Sequence, residues 1–159
     1  MTIHNTERVD YAIRRGAIYL TGLTVTGSPI WHVQGFERPI TSDSDPIARL
    51  TFEPLPGRVQ GYVSASQTAI EQSLQVVIDL FWPTSRPAYQ VDQAASELYY
   101  ELRELRLSFR EYGTPASPTD VTGYFLRVVD PPSILRLPSA DHNDRRRVIA
   151  VFRWLSAHS

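Results

Sequence analysis

The chain has no lysine and no cysteine; all sixteen of its basic residues are arginine. A P-loop needs its Lys, so the standard nucleotide-binding loop is excluded. Schiff-base chemistry and Ser–Lys dyads go with it. The missing thiols exclude disulfide frameworks, Cys-zinc sites and thiol nucleophiles. A large excess of either charge is also lacking. The formal net charge is -1, which gives no electrostatic basis for general nucleic-acid binding. Long hydrophobic runs are absent as well. The longest, Val76 to Trp82, is interrupted by Asp79 and is far too short to cross a bilayer. The first residues, MTIHNTERVDYAIRR, contain no apolar signal-peptide core, so a cytosolic protein is expected.

What is present suits one domain over residues 1–159, with 42% hydrophobic and 21% charged residues. Val9, Ile13, Gly16/Ala17 and Leu20 recur at helical spacing and predict a first helix over 6–21, with Asn5 or Thr6 as its cap. Residues 22–46 are punctuated by Gly, Pro, Ser and Asp and read as irregular, with a short strand at 31–36. IARLTFE (47–53) alternates as a half-buried strand, which Pro54-Leu-Pro-Gly57 is expected to break; 58–72 reads as a hairpin arm. Residues 73–82 form the strongest strand, apolar on both faces.

After Trp82-Pro83, Val91, Ala94, Ala95, Leu98, Leu102, Leu105 and Phe109 mark an amphipathic helix over 88–110, stopped at Gly113. The turn PTSRP between them has no glycine and is a poor phosphate cradle, so it reads as a joint. Two further strands are expected at 121–130 and 146–155, joined by a loop over 131–144. Their outer faces carry Phe125, Arg127 and Val129, and Arg147, Ile149, Val151 and Arg153. Those faces are too apolar for a solvated sheet and call for a second cover, either the first helix or another subunit. The reading is an α+β domain of order α-β-β-α-β-β, with a mainly antiparallel sheet of four to five strands and both helices packed on it.

No constellation for chemistry emerges. His4, His32, His142 and His158 are scattered, with no H-E-x-x-H, and no G-x-S-x-G elbow occurs. Asp141-His142-Asn143-Asp144 contains metal-friendly types, but these are also ordinary turn residues. Glu97, Glu101 and Glu104 share a helix side that reads as solvated. Arg145-Arg146-Arg147 enters a strand, so its side chains project alternately and no face receives all three. No metal, cofactor or catalytic residue is expected.

ARLTFEPLPG, QVVIDLFWPTSRPAYQVDQAASELYYELREL and the pair GYFLRVVDP and RRRVIAVFRWLS give a hairpin, a strand running through a short Pro turn into a helix, and a closing hairpin. In that order the chain resembles the tail terminator (tail-completion) proteins of long-tailed bacteriophages and their minor-tail relatives. It departs from them in the generous segments at 22–46 and 131–144. The resemblance implies a structural virion protein: a ring, usually a hexamer, that caps the tail tube and stops its polymerisation. Such a ring offers a surface to the head-side connector, lets DNA pass through its lumen, and has no catalytic residues. It would reside in the virion neck, and in host cytoplasm during assembly, with no membrane involved. The contact residues expected on this reading are Trp31, Phe36, Arg38, Phe125, Arg127, Arg145, Arg146, Arg147, Ile149, Val151 and Arg153. Two other readings compete: a stand-alone peptide- or protein-binding module gripping through Trp31 and Phe36, and a hydrolase using His32 or the Asp141–Asp144 segment.

Overall fold

The computed structural model describes residues 16–33, 45–64, 67–112, 118–128 and 131–158; at 54, 56–64, 67–72, 106–112, 118–128 and 153–158 it gives the backbone path alone. A helical segment, α1 (16–21), leads into β1 (Ile30–Val33), β2 (Ile47–Ser64) and β3 (Gln67–Pro83). Helix α2 (Ala88–Glu104) follows, then β4 (Arg106–Tyr112), β5 (Pro118–Val128), β6 (Ser133–Ala140) and β7 (Asn143–His158). The architecture is the expected α+β fold with a mainly antiparallel sheet. The sheet is larger than expected, with seven strands in the order β1-β2-β3-β7-β5-β4 and β6 also paired to β7. Only β1 and β2 run parallel among the described pairs.

β7 is the spine. One side pairs with β3 from Pro83↔Asn143 to Thr68↔His158. The other side is shared, with β6 along its first half and β5 meeting it at Phe152 and Arg153. The core lies on one sheet face, where Leu74, Val76, Ile78, Leu80 and Trp82 of β3 meet Val148, Ala150 and Phe152 of β7. Against them α2 buries Val91, Ala94, Ala95, Leu98 and Leu102, the predicted stripe. Leu20 of α1 and Val25 join the same cluster. Tyr19 Oη donates to Glu101 at 2.8 Å, and the Thr26 N–H and hydroxyl donate to the Glu97 carboxylate at 2.8 and 2.6 Å. These contacts put α1 beside α2, so its described part does not cover the second face of the sheet.

Three expectations about elements are corrected. Pro54-Leu-Pro-Gly57 does not break its strand. β2 runs on, and the register shifts between Leu55 and Arg58, a bulge that absorbs Pro56 and Gly57. β1 pairs β2 only from Ile47 to Leu50, so both prolines lie where that edge of β2 has no described partner, the place a strand tolerates them. Helix α2 ends at Glu104, not 110: Leu105 turns extended (φ -67, ψ 132) and β4 begins at once. From there the pattern changes period, with Leu105, Leu107 and Phe109 alternating against Arg106, Ser108 and Arg110. The segment 131–144 is not a loop. It is the edge strand β6, returned to β7 by the two-residue turn Asp141-His142, both at positive φ (52 and 60), as a type I′ hairpin requires. The expected start of the first helix, with Asn5 and Thr6, lies outside the described residues, as do Phe36, Arg38, Gly113 and Val129.

The Pro turn is a joint, as expected. Pro87 stands at the N-cap of α2, one residue before the first helical turn, and no side chain caps the helix. Arg86 N–H closes the turn onto Pro83 O at 3.0 Å, and Thr84 N–H donates to His142 O at 2.9 Å, tying the joint to the β6–β7 turn. On the other flank Trp82 is wedged between two neighbours. Its Nε1 donates to Gln90 Oε1 at 3.3 Å, and its ring lies against Gly27. A Cβ at Gly27 would overlap that ring, and the φ of +81 disfavours one in any case.

Candidate functional site

Because side chains alternate along a strand, residues one register row apart in the core leave the odd rows on the second face. The central row there runs His32, Arg49, Asp79, Arg147, across β1, β2, β3 and β7. Arg49 Nη2 donates to Asp79 Oδ2 at 3.0 Å; Arg147 Nε donates to Oδ1 at 2.7 Å and its Nη2 to Oδ2 at 3.4 Å. Asp79 is only 3% exposed. Two guanidiniums therefore close over one carboxylate, the charge-assisted pairing that keeps a buried acid tolerable. That hydrogen bond raises the Arg147 pKa above its ordinary value, with burial opposing, so the charge is permanent.

The next row holds Ile47, Phe81 and Arg145. Phe81 lies within cation–π range of two arginines: Arg49 Cζ is 5.3 Å and Arg145 Cζ 5.0 Å from its ring centroid. The Nε atoms of both arginines are buried without a hydrogen-bond partner among the described residues. On the other side of the central row stand Val77 paired with Ile149, then Gln75 paired with Val151. Ile149 and Val151 are half-buried. The second face thus has a cationic centre, with two guanidiniums closed on Asp79 and a third, that of Arg145, over Phe81, beside the apolar side chains of Val77, Ile149 and Val151. Among the described helices, none packs on it. Such a surface fits an acidic, partly apolar protein surface.

The expected contact residues divide accordingly. Arg145, Arg147, Ile149 and Val151 come together on this face. Phe125, Arg127 and Arg153 are placed by backbone only, Arg127 and Arg153 facing each other across β5 and β7. Trp31 shares its row with Ala48 and packs on the core instead of standing free, which removes half of the grip that a peptide-binding module would need. Arg146 is withdrawn from the surface. It is 5% exposed, points to the helix side, and donates from Nε to Asp92 Oδ1 of α2 at 2.8 Å. The sequence nominated neither Arg49, Asp79 nor Phe81. An acid inside the apolar run of β3 was the available signal, but the register that sets it between two arginines joins strands far apart in sequence.

The hydrolase residues do not converge. His32 is buried in β1 beside Arg49. Asp141 to Asp144 serve the hairpin turn: Asn143 Nδ2 donates to Asp141 O at 2.9 Å and Ser139 Oγ to Asp144 Oδ1 at 3.1 Å. Among the described residues, no three His, Asp or Glu side chains group as metal ligands, and no helix is long and apolar enough to cross a membrane.

No family model matches the chain, and no curated protein matches it. One solved structure, whose name carries no function, superposes with a TM-score of 0.58 at 13% identity, covering 99% of this chain and 99% of its own. That likeness shows the fold, end to end.

Proposed function

We propose that this chain is a structural virion protein of the tail-terminator kind. It forms a ring that caps the phage tail tube, stops its polymerisation and joins it to the head-side connector, with DNA passing through the lumen. The observation that carries the reading is the second sheet face: a cationic centre and an apolar strip on which none of the described helices packs, on a fold whose other face holds the core. A face of that composition is what subunits of a closed ring use for one another or for the tube. The β2–β3 hairpin running through the Pro turn into α2 is the part of the resemblance that supports it further; the expected closing hairpin of 121–130 with 146–155 is replaced by β6–β7, with β5 meeting β7 at two residues only.

The decisive experiment adds purified chain to polymerising tail tubes and examines them by negative-stain electron microscopy. Capped tubes of uniform length are expected. Tubes that elongate unchecked, together with no sedimentation of the chain with them, would sink the reading.

A further inference from the structure

The large hydrophobic side chains exposed among the described residues are not scattered. Four of them, Ile18, Tyr19, Tyr89 and Tyr100, lie on the helical layer. Tyr89 (65% exposed) and Tyr100 (60%) are eleven residues apart, three turns of α2, on the stripe directly opposite its buried one. Beside them α2 carries Asp92, Glu97, Glu101 and Glu104; Arg146 of β7 pairs with Asp92 and Arg103 with Glu104, which leaves Glu97 and Glu101 as the excess acids among the described residues. The outer surface of the helical layer is therefore aromatic and acidic. The second sheet face has the opposite character. Its centre is cationic through Arg49, Arg145 and Arg147, and its two edges carry exposed apolar residues, Ile30 on β1 and Leu135 on β6. The two surfaces lie on opposite sides of one molecule.

We infer that they are partners: the α1–α2 surface of one copy seats on the second sheet face of the next. The inference deepens the ring reading and rests on it. Charge complementarity selects a second copy as the occupant: the helical layer carries four acids to the two arginines Arg103 and Arg146, and the sheet centre carries three arginines to Asp79, with Arg145 stacked on Phe81 and joined to no acid among the described residues. Size agrees. A 17-residue helix is about 25 Å long, and five strands at ~4.8 Å spacing span about 19 Å. Tyr and Arg are the side chains that interfaces favour at their energetic centres. Because the surfaces differ, the contact is head-to-tail. Repeating it closes a ring when the rotation permits, and a sheet-to-sheet dimer leaves the tyrosines unused.

The test uses two variants of the full chain, Arg145→Glu on the sheet face and Tyr100→Ala on the helical face, followed by analytical ultracentrifugation and mass photometry across concentration. Melting curves confirm that both fold. Each variant alone is expected to lose self-association by roughly thirtyfold or more, as for a hot-spot side chain. Mixed, they are expected to give dimers and nothing larger, since each keeps one intact face and the two intact faces fit. A Tyr100→Ala chain that still associates like wild type overturns the inference, because a sheet-to-sheet contact does not need that tyrosine. A wild-type chain that stays monomeric throughout overturns it too, while tube capping then decides the terminator reading separately. Rings unaffected by either substitution leave the terminator reading standing and remove this interface from it.

Discussion

Gly27 and Asp79 hold the two faces of the sheet in different ways. Gly27 lets a turn lie flat on Trp82, with Ser28 N–H bonded to Val25 O at 2.9 Å. Gly27→Ala sets a methyl into the indole and forces a left-handed φ on a residue with a Cβ. It is expected to cost about 3 kcal/mol by urea unfolding, and a loss below about 1 kcal/mol would mean the turn yields easily. Asp79→Asn keeps shape and removes charge, leaving Arg49 and Arg147 facing each other. Breaking a fully buried pair costs ~3–5 kcal/mol. Here the arginine side chains are 27% and 35% exposed, so solvent screening reduces the expected loss to about 2 kcal/mol. Tyr19 ties α1 to α2 through Glu101; that hydrogen bond, then burial and the Glu101 charge, raise its pKa above the ordinary 10.0. A pKa raised on folding favours the protonated form, so the contribution is complete below pH 10.0 and lost as pH climbs through the raised value. The stability difference between wild type and Tyr19→Phe is therefore expected to be flat at neutral pH and to vanish in alkali; a difference that changes near neutral pH would point to another group.

At the scale of elements, the β6–β7 turn is built with non-optimal residues. Asp141 and His142 both occupy left-handed conformations, where glycine carries no Cβ penalty. Since the carbonyl of residue 142 makes the bond to Thr84, His142→Gly keeps it and is expected to raise stability by about 0.5–1 kcal/mol in thermal unfolding. Destabilisation instead would assign the imidazole a structural contact. How far the elements were legible follows from what they bury. β3, the core stripe of α2 and the alternation of β7 were readable because each presents one apolar face to one core. β6 was not: SILRLPSA is exposed along nearly its whole length, contains Pro138 and follows Pro131 and Pro132, so backbone pairing with β7 defines it and side-chain periodicity does not. The end of α2 was misplaced because Phe109 continues the helical spacing by coincidence, while Leu105, Leu107 and Phe109 fit period two equally well. Of the candidate site, the parity of Arg145 and Arg147 was legible from alternation, and so was the apolar character of Ile149 and Val151. The Asp79 clamp and the Phe81 stack were not, since they depend on cross-strand register.

For the whole molecule, the question is whether the second face serves folding or assembly, and Val151 separates the two. It sits on β7 between Ala150 and Phe152, both buried in the core, yet points to the other side, half-buried and opposite Gln75. A carboxylate there keeps access to water in the monomer, so Val151→Asp is expected to cost about 1 kcal/mol of monomer stability, the scale of a cross-strand pair. In an assembly the same carboxylate is sealed in an apolar strip beside Ile149, where an unpaired charge is far more costly. Assembly should therefore fail at concentrations where the monomer remains fully folded. Val148→Asp, three residues earlier on the fully buried face, is the control and is expected to unfold the chain outright. Unfolding curves and sedimentation on the same preparations make the comparison. If Val151→Asp loses stability and assembly together, as Val148→Asp does, Val151 belongs to the fold and the second face is a core surface under a cover of its own. If it loses assembly alone, the sheet has two faces with two purposes, one closed on folding and one left for a partner.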